Sequence, residues 1–320
     1  MAKGNRRVNQ GRRKLTGKFR LLALLLIIVA LIVLVLYLLE KIRKPVVEKP
    51  AEKRPVVEHK APPAKPPLKI VKPPVVEKQY PSSAKLPDQV RPPGKIAPIG
   101  HGIVAIIIDD MGSSMQEAES LLAIKAPLTF SIIPGLGKGR EVAEAAHARN
   151  HEVMLHMPME PRDYPQRRLE KNGLLMAESD QEIGRQVNEY VRTIPYAIGA
   201  NNHMGSRFTE DNQKMRDVLL VLKERGLFFV DSMTTPNSVG LKLAREMGVR
   251  TAARNVFLDN VQDVSAIRTQ IEQLARLAAR RGSAIGICHP HPATIEALAV
   301  ELPILQKRGI TFVYASELVR

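Results

Sequence analysis

The chain has 320 residues, a single cysteine, no tryptophan and a formal net charge of +16. Residues 1–100 hold 22 of the 48 Lys and Arg but only 6 of the 32 acids, so residues 101–320 carry 26 of each and are neutral. A basic excess confined to a tail removes the case for a nucleic-acid partner of the remaining domain, and the lone Cys288 excludes an internal disulfide.

Eight Lys and Arg, with no acid among them, precede an unbroken apolar run from Leu21 to Leu39. That run is long enough to cross a bilayer as a helix. The basic flank predicts that residues 1–20 stay cytoplasmic, and no small-x-small site follows to mark a cleaved signal. Residues 21–39 are therefore expected to be an uncleaved transmembrane anchor in a bacterial inner membrane, with the C-terminal domain in the periplasm. Residues 40–100 hold 14 of the 24 prolines, interleaved with Lys, Val and Glu. Such a segment cannot bury a core, and it is expected to be an extended disordered linker.

Residues 101–320 are enough for one domain with a sizeable core. Short apolar runs predict strands over 103–109, 128–133, 152–157, 197–202, 227–231, 254–258, 283–288 and 310–314. Helical patterns fall between them near 114–124, 138–149, 179–193, 211–225, 239–247, 263–281 and 293–307. The alternation predicts an α/β fold built on a mainly parallel sheet. A (β/α) barrel, distorted or seven-stranded, is the first expectation and a doubly wound open sheet the alternative. Either gathers its chemistry at the carboxyl ends of the strands.

Four segments place polar residues at such ends. Ile103 to Ile108 runs directly into Asp109 and Asp110, and carboxylates this close do not both ionise freely without a positive group between them. The second is His151-Glu-Val-Met-Leu-His156, with Pro158 expected to stop the strand. Asn201-Asn-His203-Met-Gly-Ser-Arg207 and Cys288-His289-Pro-His291 are the others. One Asp and two His around an open position suit catalytic zinc or another borderline divalent ion, which leaves an Asp and a His for acid–base work. His151 begins its strand and reads as a packing or surface residue, Cys288 as a buried inert thiol. Gly135 to Arg140 fits neither the Walker nor the dinucleotide spacing and reads as a turn.

The strings Ile-Ile-Ile-Asp109-Asp110-Met-Gly, His151-Glu-Val-x-x-His156 and a late strand ending in His289 are similar to those of NodB-type polysaccharide deacetylases. Residues 103–318 as a whole resemble the divergent polysaccharide deacetylase family, often found in bacterial envelopes. The resemblance implies Asp109 as general base, Asp110 as a metal ligand, His156 as the first metal histidine and His289 as the acid that protonates the leaving amine. NodB enzymes carry a second metal histidine four residues after the first, where this chain has Glu160. Glu160 could ligate through oxygen or face the substrate, and His203 is the preferred third ligand. His291 is open as a second ligand, the acid itself or a supporting donor. Arg207 is expected to pair with Asp109 or to sit in a surface ion pair. Asp231 is expected to orient a histidine, bind substrate or cap a helix. The implied activity is removal of N-acetyl groups from an envelope polysaccharide, with peptidoglycan the nearest polymer to the anchor. The rival is a non-catalytic protein on the same fold that binds glycan or a cell-wall partner.

Overall fold

The computed structural model describes residues 99–320 together with Ile28, Leu31 and Leu34. Those three are helical and exposed. The basic tail, the rest of the apolar run and the Pro-rich segment up to residue 98 lie outside the described residues. Among the described residues no helix is long and apolar enough to cross a membrane.

The domain alternates strands and helices: β1 Gly102–Met111, α1 Met115–Leu122, β2 Thr129–Ile132, α2 Gly139–Ala148, β3 Glu152–Met159, α3 Asp180–Thr193, β4 Ala197–Met204 and α4 Asn212–Glu224. Then follow β5 Phe228–Asp231, α5 Gly240–Glu246, β6 Thr251–Ala253, β7 Val256–Phe257, α6 Val264–Arg281, β8 Ser283–Cys288, α7 Pro292–Lys307 and β9 Ile310–Val313. The helices begin where side chains can take up orphan N–H groups. Ser114 caps α1, Asp211 caps α4, Asp263 caps α6, and Ser179 forms a reciprocal box with Glu182 at α3.

All strand pairings are parallel, in the order β6-β5-β4-β3-β2-β1-β8-β7. The edge of β1 away from β8 pairs with β9 along residues 102–105 and with β2 from Ile107 onward. The expected α/β barrel is present in incomplete form. Within the strand expected over 254–258 only Val256–Phe257 forms, as β7; an unexpected strand, β6 at Thr251–Ala253, precedes it, and the two are the edges of the sheet. The physical cause is the two-residue junction between them. Arg254 N–H donates to Asp231 O on β5, while Asn255 N–H donates to Ile285 O on β8. The chain thus crosses from one sheet edge to the other instead of running on as one strand.

Alternation along each strand divides two cores. Val104, Ile106 and Ile108 of β1 face the helices, whereas Ala105 and Ile107 face the barrel interior with Met154, Phe228, Val230, Ile285 and Ile287. Below them, the turn at 315–317 closes the amino-terminal end: Ala315 N–H donates to Thr129 Oγ1 and Ser316 N–H to Glu152 Oε1. Among the described residues the cleft lies at the opposite, carboxyl-terminal end.

β3 also corrects an expectation, since Pro158 does not stop it. Pro158 pairs with His203 in register, and its carbonyl accepts from Leu174 N–H on the side away from β4. The missing N–H of a proline is tolerated there because β2 has already ended. Gly199 of β4 lies against the Phe228 ring, whose atoms would stand 2.3–2.6 Å from an added Cβ. Gly199→Ala is expected to cost about 1–3 kcal/mol by overpacking, read as a melting point several degrees lower.

Candidate metal centre and cleft

Residues 105, 107 and 109 of β1 point inward, so Asp109 continues the interior row. The ladder to β2 shifts between Ile108 and Met111, and Asp110 takes a left-handed φ of 58°. This bulge turns Asp110 out of the alternation and delivers both carboxylates to one end of the barrel. On β3 and β4 the same alternation brings His156, Asn201 and His203 inward beside them.

Asp110 Oδ1 lies 3.1 Å from His156 Nε2 and 2.8 Å from His203 Nδ1, and the two imidazole nitrogens are 3.1 Å apart. All three atoms converge on one point. Neighbouring groups fix which nitrogens face it. His156 Nδ1 is 2.7 Å from Asn201 Oδ1, and a carbonyl only accepts, so Nδ1 carries the hydrogen and Nε2 is left toward Asp110. Asn201 is oriented in turn by donating to Asp109 Oδ1 at 2.8 Å and accepting from Ser131 Oγ. His203 Nε2 faces Glu170 Oε2 at 3.7 Å.

Asp110 Oδ1 is buried and has no well-aligned donor, although both imidazoles approach it closely. A buried carboxylate oxygen without a donor is costly, and a cation is the group that would satisfy it. The separations of 2.8–3.1 Å are close to the edge of roughly 3.3 Å that two zinc–ligand bonds of about 2.0 Å span at a tetrahedral angle. The Asp and His donor set fits a borderline divalent ion.

Electrostatics separate the two aspartates. Burial pushes the Asp109 carboxyl above its ordinary range, against the opposing pull of His156, His289 and the Asn201 amide. Burial also acts on Asp110, but the close approach of His156 and His203 outweighs it and holds that carboxyl well below the usual range. One carboxylate is thus suited to accept a proton and its neighbour to stay charged.

Across the cleft stands a residue the sequence reading missed. Asp259, buried beyond the end of β7, accepts from His289 N–H at 2.6 Å, from Thr294 Oγ1 at 2.9 Å, and pairs with His289 Nδ1 at 3.1 Å. His289 Nε2 is left toward Asp110 Oδ2, 3.8 Å away. Burial opposes charge on His289, yet Asp259 together with Asp109 and Asp110 raises its pKa above the ordinary imidazole value. The signal was an aspartate ending an apolar run, Val256-Phe-Leu-Asp259, just beyond the strand expected over 254–258. His291 lies beside His289, with ring centroids 5.8 Å apart, and its Nε2 is 2.9 Å from the Gln262 amide.

Other candidates take different places. Glu160 is buried, but its carboxylate accepts from Met176 N–H at 2.8 Å and from Arg207 Nη1 at 2.7 Å, so it braces the segment after β3 and is not among the converging groups. Arg207 accordingly pairs with Glu160 and not with Asp109. Asp231 faces the helix side, where it accepts from Met233 N–H, Leu241 N–H and Ser238 Oγ. It organises the entry to α5 instead of meeting a substrate. The arginine whose charge acts on Asp109 is Arg254. His151 packs edge-on against Phe130, and Cys288 is buried with its thiol pKa pushed up by burial. Asp109, His156, His203 and His289 open into a cleft of about 810 Å³, walled in part by Arg254 and Phe257.

The model of a family described as divergent polysaccharide deacetylase matches residues 106–319. The Escherichia coli K12 protein YibQ is 39% identical over 223 residues, which cover 70% of this chain and 69% of that protein. A Haemophilus influenzae Rd protein is 36% identical over 199 residues, 62% of this chain and 70% of its own length. Among solved structures, the Agrobacterium tumefaciens C58 protein ATU2773 superposes with a TM-score of 0.66 at 24% identity, covering 69% of this chain and 90% of that one, a likeness of fold.

Proposed function

We propose that this chain, which belongs to the divergent polysaccharide deacetylase family, hydrolyses N-acetyl groups of an envelope polysaccharide or peptidoglycan-type glycan. The observation that carries the reading is the convergence of Asp110 Oδ1, His156 Nε2 and His203 Nδ1 on one point, with that oxygen buried and without a well-aligned donor. These three residues would hold a divalent ion, zinc first by donor type, and a bound ion supplies Lewis acidity toward a carbonyl.

The remaining roles belong to the chain's own groups. Asp109, with its raised pKa, takes the proton of the attacking water while Asn201 fixes its orientation. Water oxygen bonds to the acetamide carbon, the carbon–nitrogen bond breaks, and His289 Nε2 delivers a proton to the departing amine. Acetate and a free amine result. Asp259 holds His289 in the tautomer this step needs. We place the domain in the periplasm, tethered to the inner membrane through residues 21–39, where peptidoglycan is within reach of the linker.

The test is metal content and acetate release measured together on the full chain in detergent. N-acetylglucosamine oligomers and peptidoglycan serve as substrates, with the protein as purified, after chelation and after zinc is restored. One equivalent of zinc and acetate release that vanishes and returns with it are expected. Metal bound with no acetate from either substrate would favour a glycan-binding protein on the same fold. No metal at all would sink the reading.

Glu170 offers a narrower test. It is the carboxylate behind His203, and partners of metal-bound histidines typically contribute 10–100-fold in affinity. Glu170→Gln is expected to weaken zinc binding by about that factor in a chelator competition, with an unchanged circular dichroism spectrum.

A further inference from the structure

Arg254 occupies an unusual position for a cation. Its side chain is half-buried at the junction that joins the two sheet edges, and it lines the same cleft as Asp109 and His289. Nε donates to Ser232 O at 2.7 Å and one Nη to Met233 O at 2.9 Å, which aims the guanidinium but gives it no negative partner. Among the described residues it forms no ion pair. Asp109 and Asp231 act on it only at longer range, and burial works against its charge. A half-buried guanidinium without a counter-ion has given up part of its hydration, which an anionic ligand in the cleft would offset.

Its surroundings set where that anion lies. The guanidinium carbon stands 5.2 Å from the centroid of Phe257, and the Phe257 ring is in turn 5.2 Å from that of His289. Arg254, Phe257 and His289 therefore run in sequence along one wall, from the cation across an apolar face to the proposed acid. Ser232, Thr234 and Asn260 add hydroxyl and amide groups to the same cleft. A carboxylate on the sugar that bears the acetamide, or on its neighbour, would reach Arg254 while the amide nitrogen faces His289. We infer that the cleft is built for an N-acetylated glycan carrying a carboxylate close to the scissile amide, and that Arg254 is the residue that binds this carboxylate.

The inference rests on the deacetylase reading, and matched substrates separate the two. Zinc-loaded full chain is given peptide-free peptidoglycan strands with lactyl ether carboxylates, the same strands after methyl esterification, an N-acetylated glycan alternating with uronate, and neutral N-acetylglucosamine oligomers. Wild type is expected to release acetate with a kcat/KM about tenfold or more higher on the free-acid strands than on their esters, the scale of a charge-assisted bidentate contact. The uronate arm shows whether the carboxylate belongs to a lactyl ether or to a neighbouring sugar. Arg254→Gln is expected to bring the acid-to-ester ratio close to one, and Arg254→Lys to keep part of it. A wild-type ratio within twofold overturns the inference without needing any variant. So does a large ratio that survives in folded Arg254→Gln, which would leave Arg254 as a brace for the Ser232–Met233 turn. Acetate from none of the four substrates counts against the deacetylase reading itself.

Discussion

His203→Ala is expected to weaken zinc binding by roughly two orders of magnitude, whereas Glu160→Ala is expected to leave it unchanged. The two residues compete for the place of the second histidine found in NodB-type enzymes, and geometry divides them. His203 Nδ1 lies 2.8 Å from Asp110 Oδ1 and 3.1 Å from His156 Nε2. Glu160 spends both oxygens elsewhere, on Arg207 and on Met176 N–H. A zinc site binds with on the order of 10–16 kcal/mol shared among four ligands. Losing one imidazole therefore costs about 3 kcal/mol, or roughly two orders of magnitude in Kd. His156→Ala should behave like His203→Ala. Glu160→Ala leaves Met176 N–H without its acceptor and should lower stability by about 1–3 kcal/mol instead. A chelator competition for affinity and a melting curve for stability read the two effects separately. Zinc lost from Glu160→Ala but kept by His203→Ala would reverse the ligand assignment.

The metal-free chain adds a pH dependence to that measurement. Burial disfavours charge on His156, but Asp109 and Asp110 overcome it and raise its pKa to about 9. Below that value the site holds a proton that an incoming cation must displace, so zinc affinity is expected to fall as pH is lowered and binding to release protons.

Much of this was readable in the sequence, for a physical reason. Parallel strands covered by helices are apolar throughout, so Ile103–Ile108 or Ser283–Cys288 stand out as runs, and the first polar residue after each marks the cleft end. Asp109, Asp110, His156, His203 and His289 were found this way. The same continuity hides which face a residue takes. Asp231 follows Val230 much as Asp109 follows Ile108, yet it sits one step out of phase and faces the helices. Arg254 was likewise passed over, because what brings it into the same cleft as Asp109 is the closing of the sheet, whose two edges β6 and β7 meet at the Arg254–Asn255 junction. Glu170 lies in an irregular segment with no periodicity to betray it. Its position depends on braces such as Asn172 donating to Pro134 O and Leu174 pairing with Pro158.

Asp259→Asn should lower kcat by on the order of 10²–10⁴, the usual worth of a positioned acid, while zinc content stays unchanged. Both Asp259 oxygens act as acceptors, Oδ2 for His289 N–H and Thr294 Oγ1, and Oδ1 for His289 Nδ1–H. An asparagine has one such oxygen. If it serves the backbone, its NH₂ meets Nδ1, and the imidazolium that must donate to the amine is no longer supported. The pH profile distinguishes this from a general loss of structure. The proposed mechanism needs Asp109 deprotonated and His289 protonated, so kcat/KM should be bell-shaped. Its rising limb reports Asp109, whose carboxyl burial pushes upward in the metal-free chain. Its falling limb lies above the ordinary imidazole value because Asp259 and the aspartate pair raise His289. Removing the Asp259 charge lowers the His289 pKa, and the acid form is then lost at a lower pH. The falling limb should therefore move toward acid in Asp259→Asn while the rising limb stays in place. A variant whose falling limb does not move would show that another group, His291 foremost, protonates the leaving amine.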